Sequence, residues 1–557
     1  MKTLLIITPH MSTGGCPQVV AKKVELLKDR YNVVVVEWEC VAWLFVVQRN
    51  RVIEMIGDKF ITLSENKEYD LFNVIEDYHP EYVMIEEFSE TFMPSHIMKR
   101  LYSKDRKYKI FETTHSSHSR PGWKKFMPDK FVFVSPYSLT VFKDLGVPMD
   151  LIEYPIENRE PDKEYHQSIL GLDPNYKHVI NIGLFTHGKN QGYAFEIARL
   201  LQEYKIKFHF LGNQAGNFID YWKPVMETKP DNCIVWGERN DVDSWIRACD
   251  THLFTSKLEL NPISIKESLE YLKPTMIFNL PTYMGKYDNS DNICFLTGDL
   301  IKDSENLLSL LGINISERKV PKIKVVHLLL NPDDPADLPL DRWESTIKKQ
   351  NLSIDCWRNM ENKFYEYKQR YTTVNRTELP VDNCMDPSII NPSKELQNNP
   401  PTLTYGHYGA YRAHIDGILE NFGEDLDAII IAEGDSFTDL SPDEFYNKIL
   451  ESYYLSESLD TKIVSYSGPY HISGIDWWGM STKCGHWIKA PHFLMGTTYM
   501  IMKSERDDII NCIHNVPWHS PDFWLAWSCH GRIDVLVSDS SIVYQKEGYS
   551  VLDYLIK

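Results

Sequence analysis

Two glutamates, Glu259 and Glu267, stand eight positions apart in the segment SKLELNPISIKESLEYLKPTMIFN. The first lies in a polar stretch, and the second lies at the start of a run, IKESLEYL, that predicts a helix followed by a strand. Such a position faces the carboxyl edge of a parallel sheet, where open α/β folds bind ligands. Carboxylates there can hold sugar or ribose hydroxyls, while a helix N-terminus attracts a diphosphate. Because the chain contains 78 acidic residues, a solvated helix face is the alternative interpretation of the pair.

The elements that must position these glutamates begin about seventy residues upstream. The segment HVINIGLFTHGKNQGYAFEIARLLQEY predicts a strand, a loop with Gly183, Gly188 and Lys189, and a helix. Further strand-like runs alternate with short helical ones as far as Glu267, which is typical of a parallel doubly wound sheet. Lys189 is a candidate phosphate ligand, and a surface lysine is the alternative.

The amino-terminal third shows the same alternation. The strand MKTLLIITPH leads into a loop with Gly14 and Gly15 and then a helix, and three more strand-like runs follow. The two glycines allow backbone amides to approach a ligand closely, or they form a tight turn. His115 ends a strand at the edge expected to face the ligand, although a lone histidine there can also be structural.

These segments resemble the GT-B glycosyltransferases, in particular the retaining family that includes sucrose synthases and bacterial mannosyltransferases. The resemblance implies two Rossmann-like domains, residues 1–160 on the acceptor side and residues 161–322 for the nucleotide sugar. It implies that Gly183 and Lys189 contact the donor phosphates. Gly14 and Gly15 are further candidates for donor binding, because their loop lets backbone amides approach a ligand. It further implies that Glu259 and His115 meet the transferred sugar and that Glu267 meets the ribose. Leu184 stands where the family commonly has an arginine.

A third module is predicted at residues 323–557, beginning with the strand KIKVVHLLLN. A later apolar run, DLDAIIIAEGDSF, ends in Glu433, Gly434 and Asp435. Two carboxylates at the end of a buried strand suit Mg²⁺ or Mn²⁺, which neutralises a diphosphate leaving group. A polar turn is the alternative interpretation.

This module resembles the GT-A family of lipooligosaccharide and collagen galactosyltransferases, so the resemblance implies a GT-A-like α/β domain. Residues 409–414 resemble the family's Gly-x-x-x-Ser-His helix, and Glu433-Gly434-Asp435 resembles its Glu-Asp-Asp, with glycine at the middle position. Weaker matches lie at residues 496–499, 519–522 and 545. The resemblance places His414, His519 and Gln545 in the acceptor pocket and Asp522 in catalysis, although Asp522 could instead cap a helix. Histidines and tryptophans at 477–519 could stack on sugar rings or form a core.

Composition limits the partners. The net charge of −19 makes the chain a poor binder of nucleic-acid backbones, although the basic segment HSRPGWKK, residues 118–125, is a local exception. The ten cysteines show no C-x-x-C pair, which indicates free thiols in a reducing compartment. No apolar run reaches eighteen residues, so we expect a cytoplasmic protein without a membrane span.

The sequence therefore predicts a hexosyl- or pentosyltransferase with a GT-B part fused to a GT-A part. Each would use a UDP- or GDP-sugar, the second with Mn²⁺ or Mg²⁺, and would glycosylate a glycan or another hydroxyl acceptor in consecutive steps. The resemblance implies retention in the first module and inversion in the second. Two alternatives stay open. One module could be a degenerate binding domain, or the acceptor could be a hydroxymethylated DNA base, as in phage DNA glucosyltransferases.

Overall fold

The computed structural model divides the chain into two compact units. The first comprises Met1–Gly298 and Lys302–Ile313, and the second comprises Asp299–Ile301 and Asn314–Lys557. The structure describes residues 1–41, 46–156, 160, 162–314, 320–333, 340–372, 405–467, 482–484, 487–490, 498–515, 535–538 and 542–545.

The first half of the first unit is a seven-stranded parallel sheet in the order β3-β2-β1-β4-β5-β6-β7. Apolar runs such as TLLIIT and NVVVVE form its central strands, because both faces of a parallel sheet are covered by helices. The strands are β1 (Thr3–Thr8), β2 (Asn32–Glu37), β3 (Phe60–Thr62), β4 (Tyr82–Glu86), β5 (Lys109–Thr113), β6 (Lys130–Phe133) and β7 (Met149–Leu151). The helices are α1 (Gly15–Leu27), α2 (Val47–Ile56), α3 (Lys67–Tyr78), α4 (Ser95–Leu101) and α5 (Pro136–Phe142).

The second half of this unit is a six-stranded parallel sheet in the order β10-β9-β8-β11-β12-β13. Its strands are β8 (Lys177–Ile182), β9 (Ile206–Leu211), β10 (Cys233–Gly237), β11 (Thr251–Phe254), β12 (Thr275–Phe278) and β13 (Ile293–Leu296). Its helices are α6 (Lys163–Leu170), α7 (Gln191–Leu200), α8 (Ile219–Glu227), α9 (Val242–Ala248) and α10 (Ile263–Glu270), with α11 (Leu300–Leu310) following β13. Both halves are Rossmann-like: the strand order reverses beside the first strand, which places ligand sites at the carboxyl ends of the strands.

The second unit contains a mixed sheet in the order β15-β14-β16-β21-β18-β22-β20-β19, and a two-stranded ribbon, β17-β23. Strand β21 runs antiparallel to both of its neighbours. The strands are β14 (Ile323–Leu330), β15 (Glu366–Thr372), β16 (Ala428–Glu433), β17 (Ser436–Phe437), β18 (Ile463–Ser465), β19 (Thr482–Cys484), β20 (Trp487–Ala490), β21 (Thr498–Met502), β22 (Val535–Ser538) and β23 (Tyr544–Gln545). The helices are α12 (Leu340–Arg358), α13 (Tyr405–Asn421), α14 (Pro442–Leu459) and α15 (Arg506–Asn515).

Two findings in the described part of the chain concern membrane-spanning helices and cysteines. None of its helices is long and apolar enough to cross a membrane. The six cysteines whose side chains the structure describes are free thiols.

Candidate active site

The turn between β1 and α1 has the geometry of an anion site. Gly14 precedes the helix with φ 109° and ψ −177°, a conformation that a side chain would strain. The first turn of α1 contains no acid, and within the described residues no side chain caps it. A Cβ placed on Gly15 would lie 4.0 Å from Ile263 Cδ1, so the start of α1 faces α10 of the second half. Since Pro17 has no N–H and the Gln18 amide donates to the Gly14 carbonyl at 3.4 Å, the Gly15 and Cys16 amides, with the helix dipole, are the groups that a phosphate could meet.

The predicted phosphate ligand Lys189 is joined to the first glutamate of the pair. Its ammonium group forms an ion pair with the Glu259 carboxylate and lies 5.2 Å from the centroid of the Phe254 ring. Its aliphatic chain packs on Gly183, where an added Cβ would lie 3.2 Å from Lys189 Cδ. The Lys189 side chain is 29% exposed, so it is partly buried between Gly183 and Glu259.

Hydrogen bonds between two loops hold this ion pair in place. The Gly188 carbonyl accepts from the Lys257 amide at 2.8 Å and from the Ser256 hydroxyl at 2.9 Å. The Thr255 hydroxyl donates to the Lys189 carbonyl at 3.2 Å. The loop after β8 and the loop after β11 are therefore tied together, although about seventy residues separate them in the sequence.

The sequence pattern predicts Glu267 at the start of its helix, but the structure places it further along. Helix α10 begins at Ile263, directly after Pro262, and Glu267 lies in its second turn. Pro262 has an extended ψ of 124° and ends the loop, so the helix starts two residues earlier than predicted. The Gln18 side-chain amide of α1 donates to Glu267 at 3.2 Å. Glu267 thus faces α1, across from the Gly14 turn.

His115 follows β5 and belongs to a polar cluster on the first half of the unit. Its Nε2 lies 3.3 Å from Glu86 Oε2, and the ring contacts the Cys16 thiol. Burial opposes a charge on this ring, but the contacts with Cys16 and Glu86 outweigh burial and raise the pKa of His115 to about 10. Glu86 is itself 1% exposed and accepts from Lys23 Nζ at 2.5 Å. Against its burial, Lys23 and His115 lower the pKa of Glu86 to about 2.

Sequence reasoning missed three residues at these strand ends. Gly212 follows β9 with φ 149°, and a Cβ there would lie 1.9 Å from the Gly183 carbonyl oxygen. Glu86 closes β4, and Glu238 follows β10, where burial raises the pKa of the carboxyl against a hydrogen bond from Thr13. The signal was present, since an acid at the end of an apolar strand is the pattern that singled out Glu433.

The basic segment 118–125 contributes less free charge than its composition predicts. The Lys124 side chain is 0% exposed and donates to Glu90 and Glu112, at 2.7 Å in each case. Burial raises the pKa of Glu112 to about 6, although the contact with Lys124 opposes this change. Lys124 therefore anchors the segment that follows His115 and does not extend toward an acceptor.

In the second unit, Glu433 lies at the carboxyl end of β16 and is held by His414. Glu433 Oε1 lies 3.1 Å from His414 Nε2, and His414 Nδ1 lies 2.9 Å from the Tyr499 hydroxyl. The His414 ring is 3% exposed and stacks on Tyr499 at an interplanar angle of 9°. His414, which the resemblance assigned to an acceptor pocket, therefore lies behind Glu433 and orients it.

Gly434 is required by packing. A Cβ at this position would lie 2.9 Å from the Leu328 carbonyl oxygen and 3.3 Å from Gln350 Oε1. The middle acid expected from the resemblance cannot be accommodated here without moving the end of β14. Asp435 follows in the turn between β16 and β17.

The residues around this turn suit a cation only in part. Within the described residues, no group of three or more His, Cys, Asp or Glu side chains could hold a metal. Mg²⁺, however, often uses one or two carboxylates and completes its shell with water and substrate phosphates, so Glu433 and Asp435 fit that mode. Residue Gln545 lies opposite Ser436 in the β17-β23 ribbon, which brings its backbone beside the turn.

Some predicted residues cannot be placed. Asp522 and His519 lie outside the described residues, as do most of the tryptophans and histidines at 477–519. Trp487 is an exception: its ring is buried and its Nε1 donates to Glu451 Oε1 at 2.8 Å. This tryptophan belongs to the core and is not available to a sugar ring.

No protein-family model matches the sequence, and no curated protein matches it significantly. Solved structures do resemble it. HepE of Anabaena, in complex with UDP and glucose, is 13% identical with a TM-score of 0.46, over 56% of this chain and 90% of that protein. A glycosyltransferase from Rickettsia africae is 14% identical with a TM-score of 0.43, over 56% and 89%. Sucrose-phosphate synthase of Thermosynechococcus elongatus is 12% identical with a TM-score of 0.42, over 56% and 90%. The similarity spans about half of the chain.

Proposed function

We propose that the first unit is a GT-B-type glycosyltransferase that moves a sugar from a nucleotide sugar to an acceptor hydroxyl. One observation supports this most directly. The uncapped amino end of α1 and the Lys189–Glu259 pair lie at the carboxyl ends of the two parallel sheets, with α1 facing α10. An electropositive backbone site and a lysine can hold a diphosphate, while carboxylates beside them can hold sugar and ribose hydroxyls.

Each residue of the proposed site has a separate role. The amides after Gly14, together with Lys189, bind the diphosphate and stabilise the charge that develops as its oxygen leaves the anomeric carbon. A new bond forms from that carbon to the acceptor oxygen, and the acceptor releases its proton. Glu259 accepts hydroxyls of the sugar, and Glu267, from its second-turn position, accepts those of the ribose. His115 donates to the sugar as an imidazolium.

Leu184 departs from the pattern of the family, which commonly has an arginine at this position. One cation of the site is lost, and the amides of the α1 turn and Lys189 must supply the stabilisation.

A thermal-shift screen of UDP- and GDP-sugars in EDTA tests the proposal on the intact protein. We expect at least one nucleotide to raise the melting temperature, since binding stabilises a fold by mass action. If none does, the donor assignment is wrong.

We further propose that the second unit is a GT-A-like transferase that uses Mn²⁺ or Mg²⁺ and continues the same glycan. Its support is the position of Glu433 at a strand end, its orientation by His414, and Asp435 two residues later. When bound, the metal would supply positive charge to a donor diphosphate. Glu433 and Asp435 would hold the metal, and His414 would fix the direction of the Glu433 carboxylate.

The alternative of one catalytic and one degenerate module can be tested through the same residues. We expect Glu267→Ala to abolish hydrolysis of the donor used by the first unit and to spare a second, Mn²⁺-dependent hydrolysis. The Asp435→Asn variant should lose the Mn²⁺-dependent hydrolysis and keep the hydrolysis of the donor used by the first unit. If either variant eliminates all hydrolysis of nucleotide sugars, the other unit is a binding domain.

A further inference from the structure

A chain of buried hydrogen bonds lies behind the turn that joins β16 to β17 and carries Glu433 and Asp435. The Ser436 hydroxyl donates to the Glu433 carbonyl oxygen at 2.6 Å and accepts from Trp357 Nε1 at 3.2 Å. The Ser353 hydroxyl donates to the Ser436 carbonyl oxygen at 2.8 Å. Ser353 and Ser436 are 0% exposed, and Trp357 is 1% exposed. The backbone of the turn is therefore held on both sides of Asp435 by buried groups.

The chain continues into the sheet through His327 of β14. Its Nε2 lies 3.0 Å from the Ser353 hydroxyl oxygen, and its Nδ1 lies 2.9 Å from the Tyr367 hydroxyl of β15. Because the Ser353 hydroxyl gives its one hydrogen to Ser436, its oxygen must accept a hydrogen from Nε2. His327 is 0% exposed, and burial favours the neutral ring, so Nδ1 accepts from Tyr367. The hydrogen bonds thus all point from the sheet toward the turn.

Helix α12 supplies its part of this network from one face. Gln350, Ser353 and Trp357 are three and four positions apart, which places them on the same side of the helix. The Gln350 side chain accepts from the Leu330 amide at 2.7 Å and donates to the Leu330 carbonyl at 2.9 Å. A Cβ on Gly434 would lie 3.3 Å from Gln350 Oε1. The same helix face therefore contacts the end of β14 and the turn after β16.

We propose that this face of α12 is a brace that fixes the backbone from which the Glu433 and Asp435 carboxylates extend, with Ser353 as its central positioning residue. His414 orients the side chain of Glu433, whereas the brace, Gln350, Ser353 and Trp357, holds the turn itself. Its effect on a cation rests on the proposed function of the second unit. Groups that orient metal ligands typically change metal affinity ten- to a hundredfold when they are removed.

Hydrogen exchange on the intact protein tests the brace without any metal. Ser353→Ala removes the hydroxyl that donates to the turn. The peptide that spans residues 433–437 should then exchange about fivefold faster, the factor expected for the loss of one buried hydrogen bond. Ser436→Ala removes the bond to the Glu433 carbonyl and should have the same effect, so it replaces Ser353→Ala if that variant does not fold.

Ser452→Ala is the matched control for Ser353→Ala. Ser452 of α14 is also 0% exposed, its hydroxyl donates to the Ile449 carbonyl at 2.8 Å, and its oxygen lies 2.8 Å from the Tyr466 hydroxyl. Both substitutions therefore remove a buried hydroxyl with two partners from a helix of the second unit. The control should leave the exchange of the peptide 433–437 at the wild-type rate.

A Mn²⁺ titration of the intact protein, followed by the EPR signal of free Mn²⁺, tests the consequence for the cation. The site of interest is the one that Asp435→Asn removes. Well below the melting temperature of every variant, Ser353→Ala should weaken this site about tenfold or more. Ser452→Ala should leave it unchanged. The EPR spectrum of bound Mn²⁺ should also change in Ser353→Ala at saturation, which a loss of stability alone would not cause.

Three results would overturn the proposal. The first is wild-type exchange of the peptide 433–437 in both Ser353→Ala and Ser436→Ala, and the second is an equal acceleration in Ser452→Ala. The third is a turn that loosens in Ser353→Ala while the Mn²⁺ affinity of the Asp435 site stays the same. If the proposed function of the second unit fails, the pattern differs: Asp435→Asn removes no Mn²⁺ site, but Ser353→Ala still accelerates exchange in the turn.

Discussion

At the scale of single residues, the proposed role of Lys189 requires its ammonium group to move from Glu259 to a diphosphate when the nucleotide binds. Its ammonium group is already paired with Glu259. Lys189→Ala should therefore weaken UDP or GDP binding by about 1.5 kcal/mol, the lower end for a charge-assisted hydrogen bond. Glu259→Gln should instead strengthen binding of the free nucleotide by up to about 1 kcal/mol, because it removes the competing carboxylate. Isothermal titration calorimetry measures both changes.

The exposed Lys205 of the same half provides the control for these substitutions. Lys205→Ala removes the same charge far from the pair and should leave the binding constant unchanged. The essential result is that Lys189→Ala and Glu259→Gln change the nucleotide-binding free energy in opposite directions. If Glu259→Gln weakens nucleotide binding as much as Lys189→Ala does, the carboxylate assists the lysine and Lys189 does not exchange partners.

The charge of His115 makes a second prediction at this scale. Its pKa is raised from 6.5 in the unfolded chain to about 10, so its contribution to stability is complete below pH 6.5 and disappears as the pH rises through 10. The melting temperature of His115→Gln should therefore approach that of the wild type between these pH values.

His10 provides the opposite case. Burial lowers the pKa of His10, so its contribution is present at high pH and is lost as the pH falls below 6.5. His10→Gln should consequently approach the wild-type melting temperature toward acid pH. Parallel pH profiles for the two variants would show that His115 is not charged in the folded protein.

At the scale of elements, Gly434 joins the end of β16 to the turn that carries Asp435. Gly434→Asp introduces the middle acid of the Glu-Asp-Asp pattern that this segment resembles, but its Cβ would meet the Leu328 carbonyl oxygen at 2.9 Å. We expect a loss of about 1–3 kcal/mol in unfolding free energy, as for other overpacked sites, and no gain in Mn²⁺ affinity. Denaturant titration and Mn²⁺ titration test the two parts. Gly216→Ala is the control, since a Cβ at Gly216 meets nothing within 4 Å.

The elements of the first unit could be predicted from its sequence because apolar strands alternate with amphipathic helices. The precise start of α10 could not be predicted, because it depends on Pro262. Glu267 therefore lies in the second turn of the helix and not at its start. The ion pair between Lys189 and Glu259 is a long-range contact set by two loops, and no local pattern encodes it. The burial of Lys124 likewise depends on acids from other strands. Local periodicity predicts elements, whereas such partners require the packed fold.

At the scale of the whole molecule, the two units should bind nucleotides by different means. In EDTA, the intact protein should keep one nucleotide site, because the proposed phosphate ligands of that site are Lys189 and backbone amides, which need no metal. Added Mn²⁺ should create a second site, because two carboxylates repel a diphosphate unless a cation lies between them. Lys189→Ala should weaken only the first site, and Asp435→Asn should remove only the second. Equal occupancy of both sites in EDTA would contradict the metal assignment.

The net charge of −19 also acts on the whole molecule. We expect no retention on heparin or double-stranded DNA columns at low salt, because binding to a phosphate backbone requires clustered cations. Lys124, one cation of the basic segment, is already paired inside the fold. Retention that decreases steeply with added salt would instead support a nucleic-acid acceptor.

The close approach of Gly212 to Gly183 has a consequence for the evolution of this protein. A Cβ on Gly212 would lie 1.9 Å from the Gly183 carbonyl oxygen, so every other residue type is excluded while the turn after β8 keeps its shape. Many acidic residues of the chain can be substituted without such a steric clash. Two glycines twenty-nine positions apart, each directly after a buried strand, should therefore persist in homologous sequences after the spacing of Glu259 and Glu267 has become indistinct. Searches for distant homologues would gain more from this glycine pair than from the glutamates.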